Sequence, residues 1–238
     1  MIVHLYAPCW NEERMIPFFL AHYAPIVDRI FIHDDGSTDR SRALLEAHPK
    51  VTFEEIGIPA TNDIRHSGEL VPYYDQIWKR SRGIADWVIL CNIDELFHHP
   101  RPRDYLEDCA AQGITVIPSE GWDMLRWRFP PPGTDLVSQV RRGARKLRMD
   151  KIFAFSPDAI VETRFQLGRH RALPCGRIEY PPRFEVRLLH YRFLGFGYSL
   201  SRFLRKKQRN PINYYQMFVR EMFVFFVIAW YLSRRLPL

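Results

Sequence analysis

Three short polar clusters, each directly after an apolar run, hold the residues whose types could do chemistry. "NEE" (Asn11, Glu12, Glu13) follows "IVHLYA", "DDGS" (Asp34, Asp35, Gly36, Ser37) follows "RIFI", and "NIDE" (Asn92, Asp94, Glu95) follows "DWVILC". Packing gives no reason for a core strand to end in adjacent carboxylates, which repel one another unless a cation or hydrogen-bond donors compensate. Asp94, helped by Glu95 or a distant histidine, would hold a divalent cation, and such a cation would neutralise phosphate. Any one cluster could be turn chemistry, Asp-Gly-Ser above all. Three at corresponding positions argue for one site.

The elements that must position these clusters alternate along the first half of the chain. "IVHLYA", "RIFIHDD", "VTFEEI", "DWVILC" and "GITVIP" read as strands. Between them, helices are expected over Asn11 to Tyr23, through "DRSRALLEAH" with Ser37 or Thr38 as cap, over Leu70 to Arg82, and through "RDYLEDCAAQ". Alternating strands and helices imply βαβ units and a mostly parallel sheet flanked by helices, an α/β fold. In such sheets ligands bind beyond the carboxyl ends of the strands, where all three clusters fall. From Gly121 to Pro182 the pattern is less regular: "RFPPPGTD" is a loop, "RRGARKLRMDK" a basic stretch that suits a solvated helix face, and "KIFAFSP" and "AIVETRF" short strands.

Length and composition set the bounds. The 238 residues fit one large domain or a domain with an appendage, and 47% hydrophobic content with 14% aromatics excludes a disordered chain. Four scattered cysteines form no Cys-x-x-Cys pair, and Cys9 and Cys91, at the ends of apolar strands, read as buried reduced thiols. With Met1 leading straight into "IVHLY" and no charged n-region, a cytoplasmic location is expected. The net charge of +7 is uneven: from Arg192 onward nine Lys or Arg face one acid, and the preceding residues carry 25 basic against 26 acidic groups. A nucleic-acid enzyme would spread positive charge across its cleft, so no nucleic-acid partner is expected. Gly-x-Gly-x-x-Gly, Walker and Gly-x-Ser-x-Gly motifs are absent, which excludes the corresponding dinucleotide, P-loop and hydrolase sites.

"CWNEE", "IFIHDDGSTDRS" and "DWVILCNIDELF", followed in order by "GWDM", "MDKIFAFSP", "LGRH" and "LLHYRFLG", resemble a family-2-type glycosyltransferase of the GT-A fold, in the bacterial branch with an Asp-x-Asp-Glu-Phe-like motif. The resemblance covers residues 1–205 and implies a GT-A domain there, with residues 206–238 as a C-terminal helical tail. It implies a nucleotide-sugar donor, UDP- or similar, and a glycan or lipid-linked acceptor. Asn11, Glu12, Asp34 and Asp35 would contact base and ribose. Asn92 and Asp94 hold the places of the two motif aspartates, and Asp94 would bind the Mn²⁺ or Mg²⁺ that bridges the diphosphate. An amide binds metal poorly, so Asn92 departs from the pattern and is expected on the ribose. In inverting relatives an Asp or Glu beyond the motif is the base; Asp123 and Glu120 are the candidates here, with loop anchoring as the alternative. His190 matches the place of a late metal ligand, and His170 is a second candidate, each against an ordinary structural histidine. Lys151 and Arg202 are candidates for phosphate or acceptor contact, with solvated surface as the default reading of each, and His98 and His99 read as loop residues.

Met222 to Leu232 carries no charge, and as a helix it would rise about 16 Å against a hydrocarbon core of about 30 Å. Flanking arginines and lysines with Tyr214, Tyr215, Trp230 and Tyr231 suit an anionic membrane surface, which would make the protein peripheral on the inner face of the membrane. Packing on the domain or in a dimer seam is the alternative. Two rival functions remain open: a sugar nucleotidyltransferase, and a membrane-recruited nucleotide-binding module with a degenerate site.

Overall fold

The structure, a computed structural model, describes residues 1–56, 70–166 and 169–209. The expected alternation opens it: β1 (Val3–Cys9), α1 (Ile16–Tyr23), β2 (Arg29–Asp34), α2 (Ser41–Glu46), β3 (Val51–Glu55), α3 (Leu70–Ile77) and β4 (Trp87–Leu90). Then come β5 (Glu95–His98), α4 (Pro102–Ala111), β6 (Val116–Arg126), α5 (Leu136–Gln139), β7 (Gly143–Arg145) and β8 (Lys151–Phe155). The chain continues through β9 (Ile160–Glu162), β10 (Cys175–Gly176), β11 (Arg187–Leu194) and α6 (Phe196–Arg209). The apolar tail segment, beyond α6, lies outside the described residues. Among the described residues no helix is long and apolar enough to cross a membrane.

Nine strands form one sheet in the order β3-β2-β1-β4-β8-β6-β11-β5, with β7 paired to β6. Strands β1 to β4, β6 and β11 run one way and β5, β7 and β8 the other, so the sheet is mixed and mostly parallel. The two-residue strand period sorts the core onto two faces. Val3, Leu5, Ala7, Ile30, Ile32, Trp87 and Ile89 pack on one side with Phe18, Phe19 and Leu106 from α1 and α4. Tyr6, Val88 and Leu90 pack on the other with Tyr74, Ile77 and Trp78. All four cysteines are free thiols, three of them buried.

Several expectations are corrected in detail. The first helix begins at Ile16, not Asn11, because Asn11 takes a left-handed φ of 54° and the chain turns through Glu12 to Met15 before it can coil. The second helix begins at Ser41 and neither Ser37 nor Thr38 caps it; Ser37 is drawn to Asp34 and the Asn11 amide instead. The basic stretch is no helix face but β7 followed by a 3-10 turn, Leu147–Met149. That turn presses on β6 so closely that a Cβ at Gly121 would lie 2.3 Å from Cβ of Met149. His98, expected as a loop residue, ends a strand the sequence reading does not anticipate, β5, which pairs antiparallel to β11.

Candidate active site

The carboxyl ends of β1 and β4, the middle of β6 and β11, and one helix meet at a buried charged network. Beyond β4 the buried Ile93 pins the chain, and Asp94 and Glu95 follow it into the interior, 5% and 1% exposed. Oδ2 of Asp94 accepts from Nη1 of Arg202 at 2.7 Å and lies 3.4 Å from Nε2 of His190. The other ring nitrogen of His190, Nδ1, is 2.7 Å from Oδ1 of Asp123, its register partner on β6. Arg202 also donates through Nη2 to Glu12 at 2.6 Å, and Tyr198 O–H reaches the second Glu12 oxygen at 3.4 Å.

The electrostatics follow from burial and pairing. Burial alone would strip the proton from His190, yet Asp94 and Asp123 outweigh it and raise the imidazole to about 8. Burial would raise the Asp123 carboxyl, but its hydrogen bond with His190 and the charges around it hold it below the usual range. Arg202, fully enclosed, is held charged by Asp94 and Glu12 against the cost of desolvation.

A second set surrounds Glu95. Lys151 Nζ donates to it at 2.6 Å, both groups being buried, and the Asn92 side-chain amide donates to the same oxygen at 3.0 Å. Burial favours the neutral acid, but Lys151, His190 and Arg169 keep the Glu95 carboxyl low. Oδ1 of Asn92 accepts from the Arg169 guanidinium. Asn92 therefore joins Glu95 to a cation in this arrangement. Lys151 and Arg202 are both buried, drawn in by Glu95 and by Asp94 with Glu12, which corrects the default expectation of solvated surface for each.

The remaining clusters brace the rim. Asn11 Oδ1 accepts from the backbone N–H groups of Thr38 and Asp39 at 2.7 and 3.2 Å, tying the loop after β1 to the loop after β2. Asp34 accepts from the N–H and O–H of Ser37 at 2.8 and 2.5 Å, and Asp35 is buried beside it.

No family model and no curated protein matches the sequence. Among solved structures, the chain is similar to TarS 1-349 of S. aureus at 12% identity and a TM-score of 0.44, covering 81% of this chain and 61% of that one. A glucosyl-3-phosphoglycerate synthase from Mycobacterium tuberculosis, in complex with Mn²⁺, UDP and phosphoglyceric acid, is 17% identical with a TM-score of 0.38, covering 66% and 56%. A complex of TarS 1-349 with UDP-GlcNAc is 14% identical with a TM-score of 0.35, covering 63% and 38%. The chain thus spans less than two thirds of each, and likenesses at these scores carry no argument about activity.

Within this chain, Asn11, Glu12, Asp34, Asp35, Asn92, Asp94, Lys151, Asp123 and His190 gather near one sheet edge, and two of the candidates stand apart. Glu120 is paired in register with Arg187 and lies an odd number of residues from Asp123, so the strand period turns it to the other face. His170 borders a separate cavity, where burial and the charges of Lys151 and Arg148 lower its imidazole to about 4. Sequence reasoning misses Tyr198 and Arg169. Their signal there is indirect: a carboxylate-rich motif requires cations or donors from elsewhere in the chain.

Proposed function

We propose that the protein is a glycosyltransferase that moves a sugar from a nucleotide-sugar donor, UDP-linked or similar, to a hydroxyl of a glycan or lipid-linked acceptor, with inversion. The observation that carries the reading is the chain Asp123–His190–Asp94, joined through Arg202 to Glu12 where parallel strands end. Expelling a nucleoside diphosphate needs fixed positive charge where negative charge develops, and a base for the acceptor proton.

The donor set suits a divalent cation. Asp94 and the Nε2 of His190 face one another at 3.4 Å; a cation bound there would displace the Nε2 proton that the two carboxylates hold at neutral pH, while Asp123 keeps Nδ1. Among the described residues no group of three or more His, Cys, Asp or Glu side chains could hold a metal ion, so substrate phosphates would have to supply the remaining ligands. Asp94 and His190 would hold Mn²⁺ or Mg²⁺, which supplies Lewis-acid stabilisation of the leaving diphosphate when bound.

The chain's own groups do the rest. Arg202 places a permanent positive charge beside the leaving phosphate, and Glu12 and Asp94 fix its position. Asn11, Asp34, Asp35 and Asn92 line the donor side, and Lys151 keeps Glu95 ionised beneath it. Asp123 takes the acceptor proton on the oxygen turned away from His190. The acceptor oxygen bonds to the anomeric carbon as the bond from that carbon to the diphosphate breaks. Asp123 is ionised throughout the neutral range but weakly basic, so the proton moves late, after C–O bonding has begun. The basic, aromatic tail would bring such an enzyme to an anionic membrane bearing a lipid-linked acceptor.

A panel of nucleotide-sugars incubated with the protein and Mn²⁺, with release of nucleoside diphosphate as the readout, tests the reading. Turnover of one donor, abolished in Asp94→Asn, is expected. No turnover or nucleotide binding across the panel, or an Asp94→Asn variant as fast as the parent, rejects it.

A further inference from the structure

A cavity of 520 Å³, lined by Leu147, Arg148, Gln166, His170 and Arg171, lies beside the Asn92–Glu95–Lys151 set and has no role in the chemistry above. Its lining holds two arginines and a histidine and no carboxylate.

Both walls are built rather than incidental. One is the 3-10 turn Leu147–Met149, pinned by Arg145, whose guanidinium grips Asp150 at 2.6 and 2.8 Å, while Asp150 in turn accepts from the Gly121 N–H at 2.8 Å. The other is the loop after β9, anchored where Asp75 accepts from Thr163 O–H at 2.5 Å and Phe165 N–H at 3.0 Å. In that loop Arg164 and Arg169 take left-handed φ values of 48° and 55°, a conformation that costs an L-residue energy and persists where the surroundings impose it. Arg169 is held over the Tyr74 ring at 4.8 Å and donates to Asn92.

Two polar atoms on this wall are orphaned. Nη1 of Arg169, a residue only 6% exposed, and Nδ1 of His170 are buried without a hydrogen-bond partner. Of the eight buried side-chain polar atoms without a partner among the described residues, these two sit on neighbouring residues beside a basic cavity, where an anionic ligand would satisfy them. Arginines in such a setting favour planar or tetrahedral oxyanions.

We infer that this cavity receives an anionic group, a phosphate or carboxylate, carried by the acceptor. The inference rests on the glycosyltransferase reading and names the substrate class. The acceptor is favoured over the donor by strand order. Glu12 and Asp94 follow β1 and β4 and Asp34 ends β2, whereas one wall of the cavity is the turn before β8, which the sheet order puts on the other side of β4 from β1 and β2. Asn92 and Lys151 stand between the two, which sets an acceptor's charged group beside the reacting centre and clear of the diphosphate.

The test is titration of the full chain with inorganic phosphate in saturating UDP, which blocks the donor site, followed by calorimetry or amide NMR shifts. Phosphate binding in the parent that weakens at least tenfold in the Arg148→Ala/Arg171→Ala double variant, with UDP affinity unchanged within twofold, is the expected result. Arg148→Lys/Arg171→Lys should recover part of the loss and controls for folding. Failure of the parent to bind phosphate, or an unchanged affinity in the double variant, overturns the inference. A parallel loss of UDP affinity overturns it as well, by assigning the cavity to the donor. Absence of UDP binding in the parent would instead strike the glycosyltransferase reading, and the phosphate titration without UDP would still report on the cavity.

Discussion

Arg202 donates to Oδ2 of Asp94 at 2.7 Å across 108 residues of chain. The same guanidinium reaches Glu12, so one side chain on α6 clamps the ends of β1 and β4. All three charged groups are largely excluded from water, with the Asp94 and Arg202 side chains 7% and 9% exposed. A guanidinium spans two carboxylates through its forked donors; an ammonium at the same place would have to choose between them.

Removing that cation takes the shared guanidinium away from two enclosed carboxylates, Asp94 and Glu12. Arg202→Met is expected to lower unfolding stability by about 3–5 kcal/mol, read from urea denaturation midpoints at neutral pH. Arg202→Lys should regain only part of it. An Arg202→Met protein as stable as the parent would show that water reaches Asp94 and Glu12 freely.

Asp123 and His190 separate orientation from mere packing. Asp123→Asn keeps the shape of the side chain but loses the charge that holds the His190 proton on Nδ1. With the base for the acceptor proton lost as well, turnover is expected to drop by about 100-fold or more, with UDP affinity measured without metal essentially unchanged. If only the unfolding midpoint moves while turnover stays intact, Asp123 is a loop anchor and no more.

How much of the fold and site is legible in the sequence depends on the range of each interaction. β1, β2 and β4, and the polar clusters after them, are local signals: apolar runs closed by Asn, Asp and Glu. β5 is hidden because its four residues mix Glu95 and His98 with Leu96 and Phe97, and only pairing with β11 makes them a strand. The start of α1 is misplaced because helical spacing from Met15 onward says nothing about the left-handed turn at Asn11. Within the site the acids are readable, and Lys151, His190 and Arg202 are singled out, but which acid each cation pairs with is not. Arg169 and Arg202 come from 77 and 108 residues away, and no spacing rule links them to "NIDE". Glu120 and Asp123 look equivalent in "SEGWDM", and only the strand period separates their faces.

The Glu95–Lys151 pair lends itself to a double-mutant cycle. Each single change, Glu95→Gln or Lys151→Met, strands a buried partner and should cost about 3–5 kcal/mol. The double variant should be less destabilised than the two singles added together, by more than about 1 kcal/mol. Strict additivity of the three urea midpoints would mean that the 2.6 Å contact contributes no coupling.

Acid should weaken the fold well before its carboxylates titrate, because two histidines, His33 buried and His22 half-buried, are held as neutral rings. His33 is fully enclosed and accepts or shares the Tyr73 hydroxyl proton at 2.6 Å; burial lowers it from 6.5 to about 4, with Glu54 opposing and Arg80 adding to the shift. His22 meets the Phe97 carbonyl through Nε2 at 2.6 Å, and burial again lowers it from 6.5 to about 4. The unfolded chain takes up protons on these rings below pH 6.5, and the folded chain does so only near pH 4. Their contribution to stability is therefore complete above pH 6.5 and is lost as the pH falls through that window. A tenfold change in proton affinity is worth about 1.36 kcal/mol, so each ring accounts for roughly 1–3 kcal/mol once the window is crossed. Urea midpoints should fall between pH 7.5 and pH 5, and His33→Asn, which keeps an acceptor for Tyr73 without a titrating ring, should flatten part of that slope. His190, raised to about 8, works the other way above pH 6.5, so the His33→Asn comparison decides: a slope untouched by that change would show that the His33 ring charges as readily in the folded chain as in the unfolded one.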